Sequence, residues 1–292
     1  MFIAGIDGGG THTRIELRDM DNTLIRRGEF GPFNINAIGE GAFRRLLQQV
    51  FDWCGGMEDC ARLCVGAAGI SNPKMGEVLT EELARAGFSG KWTLCGDQEI
   101  ALRGAMDGEG LVVIAGTGSI CFGKNAAGET ARSGGYGHLI DDGGSGYALG
   151  RDVLSAAVRA VDGRSSDTAI LQAVCDKLGS GPAGIVPFVY SPETDKAAIA
   201  KFSYIALELA EGGDPAAAEV LRRGAGELAS LVRAVQIRLG MPGCRIALLG
   251  GLLTEKNAYR KVVAEELSCL GCVMAGEHSA LWGAAQMAWE LS

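Results

Sequence analysis

The segment Asp7-Gly8-Gly9-Gly10-Thr11 joins two hydrophobic stretches near the start of the chain. Residues 2–7 are largely apolar, and residues 13–19 alternate between apolar and polar. The pattern predicts two strands joined by a glycine-rich hairpin. Because no helix follows the glycines, the dinucleotide-binding fingerprint is excluded, since its phosphate lies on a helix N-terminus. The G-x-x-x-x-G-K-[ST] pattern of a P-loop does not occur in the chain either.

A glycine-rich hairpin can still bind a phosphate. Without a Cβ in the way, consecutive backbone N–H groups converge on an oxyanion. Thr11 adds a hydroxyl donor, and Asp7 is placed to hold Mg²⁺ through the water ligands that this ion retains. The alternative is a plain tight hairpin in which Asp7 caps the turn. The hairpin alone leaves both interpretations open.

The same order of elements begins again at the middle of the chain. Residues 111–115 are an apolar strand, Gly116-Thr117-Gly118 is a second glycine turn, and residues 119–123 form the next predicted strand. Both halves then continue with a further strand, helices, and strands that alternate with helices. A pair of such turns, each opening a half of the same topology, suits a polyphosphate and is more specific than either turn alone.

This repetition predicts an α/β fold of two like domains that face each other across a cleft. We expect the first domain over residues 1–107 and the second over residues 108–292. The second domain carries a helical insertion over about residues 142–240, and the final helix, residues 280–292, can pack back on the first domain. The seam falls where Asp107-Gly108-Glu109-Gly110 is polar and glycine-rich.

Composition narrows the range of partners. Of the 292 residues, 47% are hydrophobic, which is enough for real cores, and the formal net charge is −8. An acidic balance argues against nucleic acids and anionic membranes as partners, because both need a basic surface. The sequence also offers neither a secretory h-region nor the roughly 20 apolar residues of a membrane span.

The nine cysteines are odd in number and irregularly spaced, and several lie in apolar runs. This usage is typical of free thiols in a reducing compartment, so we expect a cytoplasmic protein.

Eight short motifs along nearly the whole chain carry a family resemblance. They are Asp7-Gly-Gly-Gly-Thr11, Gly31-Pro-Phe-Asn34, Gly96-Asp97, Gly116-Thr-Gly-Ser119, Gly134-Gly-Tyr-Gly-His138, Asp142-Gly-Gly-Ser145, Gly213-Asp-Pro215 and Leu249-Gly-Gly251. Their order resembles that of the N-acetylglucosamine kinase and BadF/BadG/BcrA/BcrD ATPase family, in the actin-like superfamily of sugar kinases, Hsp70 and actin. The resemblance implies two duplicated actin-like (ribonuclease H-like) ATPase domains, each a mixed five-stranded sheet with helices on both faces, and a cleft between them.

The resemblance also implies which residues would bind ATP. Thr11 and Thr117 would contact its phosphates. The glycines beside these threonines would lie close to the same phosphates; they are Gly9, Gly10, Gly116 and Gly118. Gly250 and Gly251 would lie against the nucleotide, and Ala200 would lie near the adenosine.

On the acceptor side, the resemblance implies a small-molecule sugar. Asn34 would bind sugar hydroxyls. The backbone of Gly135, Tyr136 and Gly137 would complete the pocket together with Asp142. Asp97 would contact the sugar as the base that takes the proton of the attacking hydroxyl. Independently, Asp97 follows a short apolar strand at a glycine turn, so its carboxylate points out of the strand's end. The alternative is that Asp97 only caps the helix predicted over residues 99–106.

Two positions depart from the family's pattern. Related sugar kinases usually carry an acidic residue where this chain has Gly143, and some carry Trp where it has Tyr136. Both departures lie near the implied sugar pocket, so they affect the identity of the substrate more than the chemistry.

We therefore expect ATP-dependent phosphorylation of an amino sugar such as N-acetylglucosamine, glucosamine or a muramic acid relative. One alternative is a BadF-type ATPase that activates a partner enzyme, and another is a non-catalytic sugar-sensing protein. A homodimer is expected, although no residue pattern fixes the oligomeric state.

Overall fold

The computed structural model describes residues 1–70, 72–165 and 168–292. The chain divides into two compact units. Unit 1 comprises Met1–Gly108 and Gly276–Ser292, and unit 2 comprises Glu109–Ala275. Each unit is built on a mixed five-stranded sheet, which confirms the predicted fold class.

The two sheets have the same topology. Their strands, in chain order, are β1 (Phe2–Gly8), β2 (Thr13–Arg18), β3 (Leu24–Phe30), β4 (Cys60–Ala67), β5 (Lys91–Gly96), β6 (Gly110–Ala115), β7 (Ser119–Lys124), β8 (Thr130–Gly134), β9 (Arg245–Leu249) and β10 (Cys272–Ala275). Unit 1 has the order β3-β2-β1-β4-β5, and unit 2 has the matching order β8-β7-β6-β9-β10. In each sheet the first three strands in sequence pair antiparallel, and the last two join in parallel.

Helices surround both sheets. In chain order they are α1 (Ile35–Ile38), α2 (Glu40–Cys54), α3 (Pro73–Arg85), α4 (Asp97–Ala105), α5 (Gly146–Val161), α6 (Ile170–Leu178), α7 (Ile185–Val189), α8 (Lys196–Ala200), α9 (Ser203–Glu211), α10 (Pro215–Leu239), α11 (Gly251–Thr254), α12 (Ala258–Leu267) and α13 (Ala280–Trp289). The strands and long helices follow the hydrophobic periodicity of the sequence. The short helices α1 and α11 were not predicted, because four residues carry no measurable period.

Unit 1 buries a different set of helices on each face of its sheet. The apolar stripe of α2, which includes Phe43, Leu47 and Val50, packs in one core with Ala4 and Ile6 of β1. On the other face α13 lies so close to β1 that a Cβ on Gly5 would stand 2.4 Å from the backbone nitrogen of Ala285. A glycine in β1 therefore allows the final helix to complete unit 1.

Unit 2 has one large core centred on α10. The apolar residues that recur with the helical period along this helix are buried at Val220, Leu221, Leu228, Val232 and Val235. Leu231, which belongs to the same periodic set, is only partly buried and packs against the same core. Among the described residues, no helix combines the length and the apolar character that crossing a membrane requires.

Candidate active site

In unit 1 the carboxyl ends of three parallel strands meet at one edge of the sheet. Gly8 of β1 is in register with Ala67 of β4, and Ala67 is in register with Gly96 of β5. Asp97 follows Gly96 directly, and Asp7 directly precedes Gly8. The sheet thus places both predicted acidic residues at this edge, where open α/β sheets bind their ligands.

Asp97 is the first residue of α4, and Gly96 is the N-cap. The helix start is capped by Glu99, whose Oε1 accepts a hydrogen bond from the Gly96 N–H at 3.0 Å. The Asp97 carboxylate accepts one from the Gln98 N–H, also at 3.0 Å. Since Glu99 supplies the cap, the carboxylate of Asp97 keeps acceptor capacity for a ligand.

A glycine fixes the approach of α4 to the sheet. Gly66 in β4 lies in register with both Asp7 and Cys95. A Cβ on Gly66 would stand 2.4 Å from Cδ1 of Ile100, which occupies that space. Because residue 66 has no side chain, α4 packs directly against the ends of the strands, and this packing sets the position of Asp97.

Both carboxyl groups have raised pKa values. Burial is the main cause for Asp7, the charge of Asp97 raises its pKa further, and Arg14 acts in the opposite direction. Burial also raises the pKa of Asp97, and the backbone hydrogen bond from Gln98 partly offsets the increase. Carboxylates with raised pKa values at a ligand-binding edge are typical of proton-transferring or cation-binding groups.

Asn34 lies at the same edge. Its neighbour Phe33 donates a backbone hydrogen bond to Gly9, which follows β1, at 2.9 Å. The Asn34 Oδ1 accepts the Asn36 N–H at 3.0 Å and caps α1. Among the described residues, nothing accepts a hydrogen bond from its side-chain NH₂ group, so this group is free to donate to a ligand.

The first glycine turn is a tight hairpin in which the Gly9 N–H bonds to the His12 carbonyl at 2.9 Å. A Cβ on Gly10 would meet no atom within 4 Å, so the turn is open on that side. Thr11 is exposed, and its hydroxyl has no hydrogen-bond partner within residues 1–70, 72–165 and 168–292. The turn therefore has the open backbone and free donor that phosphate binding requires.

The second glycine turn, in unit 2, is tied to the N-terminus of α5. Gly146 and Tyr147 donate their backbone N–H groups to the carbonyls of Gly116 and Thr117, at 2.8 and 3.2 Å. The Thr117 hydroxyl has no partner in the described part of the chain, and the space beside Gly116 is open. Within the turn the Gly116 N–H bonds to the Gly118 carbonyl at 3.0 Å, so among the described residues the amides of Thr117 and Gly118 are the ones left to donate to a ligand.

Asp142 is 5% exposed and adopts a left-handed conformation with φ of +64°. One carboxylate oxygen is 3.4 Å from the Ser119 N–H. The other lies 3.0 Å from the position of a Cβ on Gly118. The resemblance implies that Asp142 completes the sugar pocket, which stays a prediction, and the structure places its carboxylate beside the second glycine turn.

The loop before Asp142 is open to solvent. Gly135 and Gly137 both have positive φ, +75° and +94°, which side-chain-bearing residues rarely adopt. Tyr136 between them is 62% exposed, and the guanidinium carbon of Arg132 lies 5.0 Å from the centre of its ring. Of the three residues predicted to contact sugar, Gly135 and Tyr136 are exposed and Gly137 is half-buried.

The other residues of unit 2 that are predicted to contact the nucleotide lie around Gly146. A Cβ on Gly146 would be 3.0 Å from the Gly116 carbonyl, 3.5 Å from the Ala200 Cβ and 3.6 Å from Leu252 of α11. Gly250 is the N-cap of α11, with φ of +86°, and Gly251 is its first residue. Ala200, the second glycine turn and the start of α11 are therefore neighbours, although the sequence separates them widely.

Glu227 fills the space that the unusual Gly143 leaves. A Cβ at position 143 would lie 3.0 Å from both Cβ and Oε2 of Glu227 on α10. A cavity of about 250 Å³ adjoins them, and Arg151 and Arg223 are among its lining residues. Sequence reasoning missed Glu227, because only the fold brings α10 to this loop.

The residues of unit 1 fit a water-mediated magnesium ion. Among the described residues, no group of three or more His, Cys, Asp or Glu side chains could hold a metal directly. Mg²⁺ needs only one or two carboxylates, since it keeps several of its waters. Asp7 and Asp97 provide two, and the repulsion that raises the pKa of Asp7 would be relieved by a divalent cation.

A sequence model of the BadF/BadG/BcrA/BcrD ATPase family matches residues 4–288. The chain belongs to this family. The match spans both units, so both glycine turns and Asp97 lie inside the matched residues.

Curated relatives of the chain carry kinase names. The chain is 32% identical over 265 residues to the N-acetylmuramic acid/N-acetylglucosamine kinase of Clostridium acetobutylicum, which covers 88% of this chain and 87% of the relative. It is 29% identical over 257 residues to the N-acetyl-D-glucosamine kinase of Dictyostelium discoideum, with 81% and 80% covered. Among solved structures, a Chromobacterium violaceum protein provisionally named an N-acetylglucosamine kinase is similar, with a TM-score of 0.79, 25% identity and 98% of each chain covered.

Proposed function

We propose that the chain is a sugar kinase that transfers the terminal phosphoryl group of ATP to a hydroxyl of an amino sugar. The observation that carries the proposal is Asp97, a half-buried carboxylate with a raised pKa at the sheet edge that also bears the open glycine turn and Asn34. Relatives named as kinases of N-acetylmuramic acid, N-acetylglucosamine and glucosamine support an amino sugar as the acceptor.

Asp97 would act as the general base. Its carboxylate would take the proton of the sugar hydroxyl as that oxygen attacks the terminal phosphorus of ATP. The bond from this phosphorus to the bridging oxygen breaks, and ADP leaves with that oxygen. Burial raises the pKa of Asp97 and makes its carboxylate a stronger base than an exposed one. Phosphoryl transfer depends mainly on positioning and charge stabilisation, so one base suffices.

The two glycine turns would contact the phosphates. Thr11 in unit 1 and Thr117 in unit 2 would each donate a hydroxyl, and the amides beside Gly10 and Gly116 would donate backbone hydrogen bonds. Gly251, next to Gly250 and near Ala200, would lie against the rest of the nucleotide. A Mg²⁺ ion held through water at Asp7 would neutralise phosphate charge.

Contacts to the sugar are assigned from exposure and free donors. Asn34 would donate its unpaired side-chain NH₂ group to a sugar hydroxyl. The stretch Gly135-Tyr136-Gly137 would supply backbone groups and an aromatic ring, as expected for a pocket with a polar rim and one apolar face. Asp142 would complete this pocket, because its carboxylate can accept hydrogen bonds besides the one from the Ser119 N–H.

A screen for ADP release tests the proposal. The purified chain is given ATP and Mg²⁺ with hexoses, hexosamines, N-acetylhexosamines or muramic derivatives, and with no sugar as the control. A kinase releases ADP only when an accepted sugar is present. Equal ADP release with and without sugar would favour an ATPase that serves a partner protein, and binding of a sugar without ADP release would favour a sensing protein.

The predicted homodimer remains a prediction. Light scattering on the eluting peak of a size-exclusion column measures the mass directly, against 30.3 kDa for one chain.

A further inference from the structure

Tyr259, on α12, has a polar contact that its sequence neighbourhood does not explain. Its side chain is fully buried, and its hydroxyl donates a hydrogen bond to the Gly144 carbonyl at 2.7 Å. Burial raises the pKa of this hydroxyl, so it keeps its proton and acts as a donor. A buried donor aimed at a single loop carbonyl fixes that loop in one position.

Two glycines make room for this hydrogen bond. Gly144 has φ of +76°, and a Cβ there would stand 2.5 Å from the Gly224 carbonyl on α10. A Cβ on Gly224 would in turn stand 2.9 Å from the Tyr259 hydroxyl. The loop, α10 and α12 therefore meet at one junction, where any added side chain would separate them.

The loop that Tyr259 holds is also bonded to Ser119, the first residue of β7, which directly follows the second glycine turn. The Ser119 hydroxyl donates to the Gly143 carbonyl at 2.7 Å. The successive carbonyls of Gly143 and Gly144 are thus held by two hydroxyls, one from β7 and one from α12. The next residue, Ser145, caps α5 by accepting the Ala148 N–H. The first amides of α5 are those that bond to the carbonyls of Gly116 and Thr117.

We propose that Tyr259 is a positioning residue for phosphate binding, acting through Gly144 and the N-terminus of α5 on the turn Gly116-Thr117-Gly118. It contacts no substrate itself. Its hydroxyl fixes the loop, the loop fixes the start of α5, and α5 orients the turn so that the amides of Thr117 and Gly118 face the phosphates. This inference rests on the proposed function only in requiring that the turn binds ATP phosphates, and all of these residues lie in unit 2.

Tyr259→Phe tests the proposal, because it removes the hydroxyl and keeps the ring. Isothermal titration calorimetry with Mg·ADP and with adenosine separates a phosphate effect from a general loss of structure. We expect the Kd of ADP to rise about tenfold, as for loss of one organising hydrogen bond, and the Kd of adenosine to stay within about twofold. Tyr190→Phe is the matched control, since Tyr190 is 82% exposed and far from the turn in sequence.

An unchanged ADP affinity in folded Tyr259→Phe would overturn the proposal, and so would an equal loss of ADP and adenosine affinity. Should that variant not fold, Ser119→Ala releases the same loop at the Gly143 carbonyl and carries the same expectation of weaker ADP binding with adenosine unchanged. Equal ADP affinity in Ser119→Ala and the wild type would then refute it. The binding assay needs no sugar, so a failure of sugar phosphorylation is seen separately, in the ADP-release screen.

Discussion

Asp7 and Asp97 both lie at the carboxyl edge of the unit 1 sheet, where burial raises the pKa of Asp7 and the charge of Asp97 raises it further. Two acidic groups in such a place cost stability when both are ionised. A neutral side chain at either position would avoid this cost. This is the trade-off expected of a site kept for function rather than for folding.

Asp7→Asn should therefore stabilise the protein at neutral pH. The raised pKa means that the folded state binds the Asp7 proton more tightly than the unfolded state. The resulting stabilisation is fully present below the pKa that Asp7 has in the unfolded protein. It is lost as pH rises through the pKa that Asp7 has in the folded protein. Above that pH the ionised carboxylate destabilises the fold, and asparagine removes the cost.

Urea denaturation measured across a range of pH checks this prediction. We expect a higher midpoint for Asp7→Asn at pH 7 and a difference that shrinks as the solution is acidified. The exposed Asp59, changed to Asn, is the control in the same unit. A lower urea midpoint for Asp7→Asn at pH 7 would contradict this prediction, because it would show that the ionised carboxylate makes favourable contacts in the folded protein.

The two glycines after β9 should respond differently to the same change. Gly250→Ala would place a Cβ 2.4 Å from the Ala115 carbonyl at φ of +86°, so we expect a loss of about 1–3 kcal/mol in the free energy of unfolding. Gly251→Ala meets open space, so its stability should stay within about 0.5 kcal/mol of the wild type.

Calorimetric titration with ADP completes this comparison. Because Gly251 is proposed to lie against the nucleotide, Gly251→Ala should weaken ADP binding without destabilising the protein. ADP affinity equal to the wild type in a fully folded Gly251→Ala would remove this residue from the nucleotide site.

Asn34→Asp separates the capping role of Asn34 from its proposed role in binding. Aspartate keeps the acceptor oxygen for the Asn36 N–H and caps a helix as well as asparagine. It lacks the NH₂ donor. We expect the KM for the accepted sugar to rise about tenfold, from loss of one hydrogen bond, with little change in stability or in the Kd of ADP. An unchanged sugar KM would leave Asn34 with its structural role alone.

Much of this fold follows from local patterns in the sequence. The hairpin of β1 and β2 is visible because alternating residues surround the turn Asp7-Gly8-Gly9-Gly10-Thr11. The buried stripe of α10 is visible because its apolar residues recur with the helical period. The repetition of strand, glycine turn and strand at residues 111–123 shows the second sheet in the same way.

The organisation of the site is less visible, because it depends on contacts between distant segments. Nothing near Tyr259 in sequence points to Gly144, and Glu227 comes beside Gly143 only because α10 crosses the loop. Asp142 shows the same limit, because only the fold brings its buried carboxylate beside Gly118 and the Ser119 N–H.

Asp97→Asn tests the central claim most directly, through two measurements on one variant with Asp59→Asn as its control. The account predicts that kcat for sugar-dependent ADP release falls by about 10²- to 10⁴-fold, because the hydroxyl loses its base, while the Kd of ADP stays within about twofold. Sugar phosphorylation at a near-normal rate in Asp97→Asn would contradict the account.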